Sequence, residues 1–303
     1  MSIGQRALRA FVPVIAVALS AGVLLLANVA GSTSAGAATP SSTSVFYLAL
    51  GASVSIGVQP TPTVPKGEPT DRGYANNLVA IEGARGVFLQ LTQLGCPGES
   101  TETFIYGGDK CYTGASTQLS TAVAFLQSHS NQDGLVTIDL GFNTIAPCAT
   151  AMVVSSTCAA QKLVLLKTQL AQIITTLRAA AGPNVTFVGV GHYNPFLAKS
   201  LLGRRGKVFA AHSMSAIGTL NDALRATYSA FATPMADVAR AFAITDRTPV
   251  SLAGHGVVRT NVAQTCLLTW MCQPKPFGPN IHPNDAGYRV IADAIVDVLP
   301  AAL

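Results

Sequence analysis

The chain has 303 residues, of which 49% are hydrophobic and 11% charged, with a formal net charge of +5. Charged residues make up about a quarter of an ordinary soluble domain, so this surface is unusually neutral, and a disordered, highly charged chain is excluded. Electrostatic binding of nucleic acid is not expected either, because the longest basic run is Arg204-Arg205 with Lys207 nearby.

Arg6 and Arg9 precede an apolar stretch from Phe11 to Ala30, and small residues follow as far as Ala38. Charged, apolar, then small is the order of a secretory signal, and Ala35-Gly36-Ala37 fits an A-x-A cleavage site. Residues 1–38 therefore read as a signal peptide and 39–303 as a single domain of a secreted protein. The apolar stretch is also about long enough to span a bilayer. An uncleaved N-terminal anchor is the competing reading, disfavoured because small residues and no basic stop follow.

Val45 to Leu50 is a short apolar run closed by Gly51, the pattern of a buried parallel strand. Pro60 to Pro65 reads as a Pro/Thr loop, and Tyr74 to Glu82 as a helix. A second strand is expected over Gly86 to Leu91, then a helix over Thr117 to Ser128. The third strand, Leu135 to Leu140, again ends at a glycine, Gly141. Leu163, Leu166, Leu170, Ile173, Ile174 and Leu177 recur at helical spacing within Ala159 to Ala181. Val185 to Val190 is the fourth strand and ends at Gly191. A helix over Ala210 to Phe231, a short fifth strand over Met235 to Val238 and a last helix over Asn284 to Leu299 complete the pattern. Arg240 to Phe277 is a long irregular stretch of the kind that often shapes a site. Alternating strands and helices predict an α/β fold with a parallel sheet between two helical layers. Ligands of such sheets bind beyond the carboxyl ends of the strands.

The six cysteines, Cys96, Cys111, Cys148, Cys158, Cys266 and Cys272, all lie after the leader. An even number in an exported chain points to disulfides. Spacing favours neighbours, Cys96–Cys111, Cys148–Cys158 and Cys266–Cys272, as clamps that shape loops. No C-x-x-C occurs and no His stands at ligand spacing from a Cys, so no metal site is expected.

Four blocks carry chemistry. Ser53 sits directly after the first strand in Gly51-Ala52-Ser53-Val54-Ser55-Ile56-Gly57; Ser55 is its local rival, deeper in the turn. Gly98 follows the second strand in Gly95-Cys96-Pro97-Gly98-Glu99-Ser100. Asn143 follows the third in Gly141-Phe142-Asn143, where its amide can donate a hydrogen bond. His282-Pro283-Asn284 opens the last helix. A nucleophile, a base and oxyanion donors are what acyl transfer needs. No G-x-S-x-G is present, which argues against an α/β-hydrolase elbow.

In order and placement these blocks resemble the SGNH (GDSL-type) hydrolase family, especially its secreted actinobacterial lipase/esterase branch, over roughly Val45 to Pro300. The resemblance implies a flavodoxin-like three-layer α/β/α sandwich with a five-stranded parallel sheet, no metal or organic cofactor, and three loop disulfides. It implies Ser53 as nucleophile, His282 as general base, and an oxyanion hole of the Ser53 and Gly98 N–H groups with the Asn143 side chain. Three carboxylates of the family pattern are replaced: Ala52 stands where Gly-Asp-Ser has its acid, Thr144 follows Asn143, and Pro279 stands three residues before His282. The last of these is the acid that orients the histidine. The Pro279 and Asn280 carbonyls or the Asn280 side-chain oxygen are the candidate substitutes. A neutral acceptor lacks the charge that stabilises imidazolium, so a slower enzyme is expected. The start of the last helix places a positive dipole end near His282 and favours its neutral form.

The remaining candidates read as structural. His192 follows the fourth strand at the edge of the site and is assigned to loop packing ahead of ligand contact. His129, His212 and His255 are placed on the surface or in loops, and Asp237 in a structural hydrogen bond. Trp270 either lines the pocket or plugs the stapled loop, and Leu267, Leu268 and Met271 make that loop apolar, which suits an acyl chain better than a sugar. The expected protein is a monomeric, secreted Ser-His carboxylesterase or lipase acting on small-molecule ester or lipid substrates, with no nucleic-acid partner and no stable membrane insertion. The alternatives are a non-catalytic relative that binds acyl or cell-wall glycan ligands, and a carbohydrate O-acetyl esterase.

Overall fold

The computed structural model describes residues 44–303 apart from 109, 151, 152 and 302. The leader expected over 1–38 lies outside the described residues. Its elements in chain order are β1 (Ser44–Gly51), α1 (Tyr74–Ala84), β2 (Phe88–Gln93), α2 (Thr101–Tyr106), α3 (Gln118–Ser128), β3 (Gly134–Asp139) and α4 (Phe142–Ile145). A small antiparallel ribbon follows, β4 (Ala149–Thr150) with β5 (Val153–Val154), then α5 (Ser156–Ala180), β6 (Val185–Val190), α6 (Gly203–Ala230), β7 (Met235–Ala236) and α7 (Val238–Ala241). The chain closes with a hairpin, β8 (Pro249–Leu252) and β9 (Gly256–Arg259), then α8 (Thr260–Leu268) and α9 (Asp285–Val296).

Five strands form one parallel sheet in the order β2-β1-β3-β6-β7. From Val45 onward β1 is buried along its whole length, which is why it reads as a continuous apolar run rather than an alternating one. Its successive side chains face opposite layers. Phe46 meets Phe125 of α3 edge-on at 5.5 Å, whereas Tyr47 bonds the Thr137 hydroxyl at 3.1 Å, the same hydroxyl that Tyr74 of α1 approaches at 3.3 Å. Helices α3, α5 and α6 pack side by side on the first face; α1 and α9 pack together on the other. The fold is therefore the expected three-layer α/β/α sandwich with the flavodoxin-like strand order. Among the described residues, no helix is long and apolar enough to cross a membrane.

Several boundaries differ from the sequence reading for local reasons. The second strand starts at Phe88, not Gly86, because the Arg85, Gly86 and Val87 amides donate back to the Glu82 and Gly83 carbonyls to close α1. Helix α6 begins two turns before Ala210. Glycine is a poor helix former, so Gly203 and Gly206 hide this start. At Gly206 the lack of a side chain is required, since a Cβ would lie 1.9 Å from the Lys199 carbonyl oxygen. The fifth strand is short because Asp237 caps α7 by accepting from the Arg240 amide at 3.1 Å. The stretch expected to be irregular after Arg240 contains α7's last residues, the β8–β9 hairpin and α8. Helix α8 is rich in Thr, Asn and Val, weak helix formers, and is fastened from outside: the Asn261 amide donates to the Ile244 carbonyl at 3.0 Å.

All three disulfides pair neighbours, Cys96–Cys111, Cys148–Cys158 and Cys266–Cys272. The first anchors the loop after β2, the second ties the β4–β5 region to the start of α5, and the third joins α8 to the loop before α9.

Candidate active site

The carboxyl ends of β1, β3 and β6 open into a cleft lined among others by Ser53, Glu99, Asp139, Asn143, His192 and His282. Its geometry starts at Gly51, the last residue of β1. Gly51 has φ +127°, and a Cβ there would lie 2.0 Å from the Asp139 carbonyl oxygen of the neighbouring strand. Only glycine allows both this backbone and this approach. The chain then turns: the Ala52 amide donates to the Asp139 carbonyl at 3.1 Å, and the Val58 amide to the Ser53 carbonyl at 3.0 Å. Ser55 points inward, fully buried, with its hydroxyl on the Ala52 carbonyl at 2.7 Å. Ser53 is left half-buried at the sheet edge.

The Gly51 position is also held from the side. Gln118, at the start of α3, accepts from the Gly51 amide at 2.7 Å and donates to the Gly51 carbonyl at 3.0 Å. The same amide group donates to the buried Glu99 carboxylate at 2.8 Å, and that carboxylate also receives the Thr103 hydroxyl.

From the far end of the chain, His282 Nε2 lies 2.9 Å from Ser53 Oγ. The Nδ1–H group of its ring donates to Asn280 Oδ1 at 2.7 Å, and its backbone amide donates to the same oxygen at 3.0 Å. Asn280 Nδ2 donates to the Pro65 and Lys66 carbonyls at 3.0 and 3.2 Å. These partners fix the amide. The two carbonyls demand the nitrogen and the His282 amide demands the oxygen, so the oxygen faces the ring and Nδ1 carries the proton. The lone pair of Nε2 is thereby aimed at the Ser53 hydroxyl. Of the two residues offered as acceptors, Asn280 makes the contact through its side chain; Pro279 makes none with His282 among the described residues.

The loop carrying His282 is fastened by the segment stapled by Cys266–Cys272. The Trp270 amide donates to the His282 carbonyl at 3.1 Å, the Asn280 amide to the Trp270 carbonyl at 3.2 Å, and the Asn284 amide to the Leu268 carbonyl at 3.1 Å. Trp270 does not line the cleft. Its indole N–H donates to Gln59 at 3.1 Å and its ring stacks on Phe277 at 5.6 Å. Leu268 and Met271 are buried and Leu267 is 57% exposed, but none of the three lines the cleft, where the sequence reading expects an acyl chain to meet them. Protein around His282 strips water from the ring and pulls its pKa down from 6.5 to about 4. Among the described residues no carboxylate is hydrogen-bonded to it to oppose this.

The Ser53 and Gly98 N–H groups have no protein partner among the described residues. Gly98 sits on an exposed turn at φ +88° and does not itself line the cleft, although the adjoining Glu99 does. Asn143 lies one residue into α4 and donates to the Glu99 carbonyl at 3.1 Å, which leaves its second N–H available.

Two further groups line the cleft: Asp139, which has no role in the sequence reading, and His192, which that reading assigns to loop packing ahead of ligand contact. Asp139 is buried at the end of β3; burial raises its carboxyl pKa, and its Oδ2 has no partner among the described residues. His192 Nδ1 lies 3.7 Å from Asp139 Oδ1, and its Nε2 is 3.1 Å from the Leu140 carbonyl. His192 therefore lines the cleft instead of packing in a loop away from it. The signal available was position, since both directly follow or end strands whose neighbours form the site. Of the other histidines, His129 closes α3 and stacks on Phe125 at 4.1 Å, His212 lies exposed on α6, and His255 lies exposed in the β8–β9 turn. Asp237 pairs with Arg225 at 3.3 Å besides capping α7. No group of three or more His, Cys, Asp or Glu able to hold a metal ion occurs among the described residues.

A family model described as the GDSL-like Lipase/Acylhydrolase family matches residues 49–290. Among solved structures, phospholipase A1 from Streptomyces albidoflavus NA297 is similar at 18% identity and a TM-score of 0.53, covering 83% of this chain and 99% of that chain. An extracellular lipase from Streptomyces rimosus is similar at 19% identity and a TM-score of 0.52, with the same coverage of 83% and 99%. At these identities the likeness shows the fold. No curated protein matches the chain in sequence.

Proposed function

Because the chain belongs to the GDSL-like lipase/acylhydrolase family, we propose that it is a secreted serine hydrolase that cleaves carboxylic esters through an acyl-enzyme. The observation that carries this reading is the relay Ser53 Oγ–His282–Asn280, with contacts of 2.9 and 2.7 Å. Ser53 Oγ attacks the ester carbonyl while His282 Nε2 takes its proton. The oxyanion is held by the Ser53 and Gly98 N–H groups and the free N–H of Asn143. His282 then protonates the departing alcohol, water attacks the acyl-enzyme with His282 again as base, and the acid is released with Ser53 restored.

The depressed pKa of His282 supports the role of base, because the ring is neutral at working pH. The missing triad acid was the ground for a binding-only relative. The Asn280 contact supports the catalytic reading instead, because it favours the tautomer whose loss is most damaging in the serine-protease example. Export of a single domain, 39–303, behind a leader is supported by the three disulfides, which persist in oxidising compartments.

Ser53→Ala is expected to abolish hydrolysis of a short p-nitrophenyl ester and labelling by a fluorophosphonate while leaving the melting temperature unchanged. Turnover retained by that variant rejects the assignment.

A further inference from the structure

Charge is spread unevenly along the chain. From Leu140 to Asn221 there is no Asp or Glu, whereas seven Lys and Arg fall there; all 14 acidic residues lie outside. This stretch supplies α5, the 3-10 segment Pro195–Leu202 and most of α6. Arg178 is engaged, donating to the Thr233 hydroxyl at 2.9 Å and lying 4.9 Å from the centre of the Phe187 ring. The other six, Lys162, Lys167, Lys199, Arg204, Arg205 and Lys207, form no ion pair among the described residues. Topology gathers them. Helix α5 leads into β6 and α6 into β7, so both helices start at the carboxyl edge of the parallel sheet, where the cleft opens, and they pack side by side. Lys162 and Lys167 stand in the first half of α5, and Arg204, Arg205 and Lys207 at the start of α6. Pro195 lines the cleft, and Leu202 at the other end of the same segment leads into α6. These cations do not serve the helix they begin. The first turn of α6 holds no acid, and a helix dipole is positive there, so Arg204 and Arg205 are unfavourably placed. Apolar side chains stand exposed among the charges: Leu202 is 66% exposed, Val208 49% and Val164 69%. Val208 follows Arg204 by one helical turn, and Lys167 follows Val164 likewise, so each valine shares a helix face with a cation.

We infer that this face docks the protein reversibly on a bilayer rich in anionic phospholipid, with the cations against the lipid phosphates and Leu202, Val208 and Val164 in the interfacial layer beneath them. The two kinds of side chain decide the partner. A soluble polyanion meets the cations and leaves the apolar side chains in water, whereas an acidic bilayer takes both. Each Lys or Arg held near an acidic bilayer strengthens binding by about fivefold, and salt screens the attraction. Docking needs neither Ser53 nor His282, so the inference stands apart from the hydrolase reading. Its consequence for the cleft is positional: the segment from Pro195 to Leu202 spans roughly 15 Å, so a docked molecule holds its cleft close to the bilayer.

Co-sedimentation of the full chain with vesicles of ether-linked phosphatidylglycerol or ether-linked phosphatidylcholine tests this. Ether lipids contain no ester, so hydrolysis plays no part in the readout, and any binding through the apolar stretch 11–30 is common to every variant. Binding to phosphatidylglycerol is expected to exceed binding to phosphatidylcholine by roughly tenfold or more at low salt and to fall as salt is added. Arg204→Gln, Arg205→Gln and Lys207→Gln combined are expected to weaken phosphatidylglycerol binding on the order of a hundredfold, with Tm unchanged because the side chains are exposed. Arg247→Gln, Arg259→Gln and Lys275→Gln combined remove the same charge from exposed positions outside this stretch, and are expected to weaken it only slightly. Leu202→Asn with Val208→Asn is expected to weaken phosphatidylglycerol binding severalfold while leaving binding to heparin, a soluble polyanion, unchanged. Equal binding to the two lipids, or equal losses in the two glutamine triples, overturns the docking face. Full phosphatidylglycerol binding by the Leu202→Asn, Val208→Asn variant shows a charge-only contact and overturns the bilayer as partner. None of these outcomes bears on the hydrolase reading, which Ser53→Ala tests separately.

Discussion

Replacing Asn280 by Asp restores a carboxylate beside the base and asks what sets the pH at which His282 works. The side-chain oxygen of residue 280 lies 2.7 Å from His282 Nδ1. An opposite charge within about 4–6 Å shifts a pKa by roughly 1–3. His282, held at about 4 by burial, is then expected to titrate at roughly 5–7 in Asn280→Asp. The base must be neutral to act, so the sign is fixed. The acidic limb of kcat/KM falls near pH 4 in the wild type and moves upward in the variant. Above that limb the carboxylate stabilises the imidazolium of the transition state, and kcat rises. There is an opposing cost. Asn280 Nδ2 donates to the Pro65 and Lys66 carbonyls, and a carboxylate removes both donors. Losing a partner costs about 1–3 kcal/mol for a buried group; Pro65 and Lys66 are exposed residues, so about 1 kcal/mol each is expected. The variant is therefore a faster enzyme at neutral pH, more acid-sensitive, and lower in Tm by several degrees. The assay is kcat/KM against pH on a soluble p-nitrophenyl ester, with thermal unfolding of both proteins. An acidic limb in Asn280→Asp that coincides with the wild type, or lies below it, refutes the electrostatic reasoning. A wild-type limb near 6.5 refutes the account of burial.

Two further changes probe the ground beneath Ser53. Gln118→Leu orphans the Gly51 amide and deletes a bond to Glu99, so a loss of about 2 kcal/mol in urea unfolding is expected; an unchanged midpoint would show that Gln118 does not hold the strand end. Asp139→Asn is expected to stabilise the protein at neutral pH. Burial raises the folded pKa of Asp139 above 3.8, so the folded state keeps a proton that the unfolded chain has released, and stability falls as pH rises between the two values. The Tm gain of the variant should be near zero below the unfolded pKa and grow towards pH 7; a gain that shrinks with pH means that His192 keeps Asp139 ionised.

The sheet was legible because its central strands are buried on both faces. Val45 to Leu50, Leu135 to Leu140 and Val185 to Val190 cannot alternate when helices cover both sides, and the glycines that end them mark where the chain leaves the sheet. The hidden elements are those whose stability comes from elsewhere in the chain. Helix α2 starts on a reciprocal cap between Ser100 and Thr103, not the Glu or Gln that marks such a cap in sequence. Helix α8 relies on Asn261 reaching Ile244. The start of α6 is disguised by glycines needed for its contact with Lys199. Each is a tertiary effect that a local pattern does not contain.

The site shows the same division. Ser53, Asn143 and His282 stand beside strand ends or a helix start, and topology alone carries them to one cleft. The substitutions at the carboxylate positions are another matter, because each is answered by a partner far away. Thr144, in the position of one acid, lies within 3.2 Å of both the Thr101 amide and the Thr101 hydroxyl, and so caps α2 with a hydroxyl. Ala52 bonds through its backbone alone, its amide to the Asp139 carbonyl and its carbonyl to Ser55. At the third position the acceptor moves one residue along, to Asn280, and works only because the loop at Pro65 and Lys66 supplies the carbonyls that stop the amide from flipping. The carboxyl groups of the cleft, Asp139 and Glu99, line it away from the base, and among the described residues none is hydrogen-bonded to His282. Desolvation then acts on His282 unopposed. A neutral relay and a low-pKa base are one design seen from its two ends, since restoring the charge at residue 280 would raise the very pKa that keeps the ring neutral in acid.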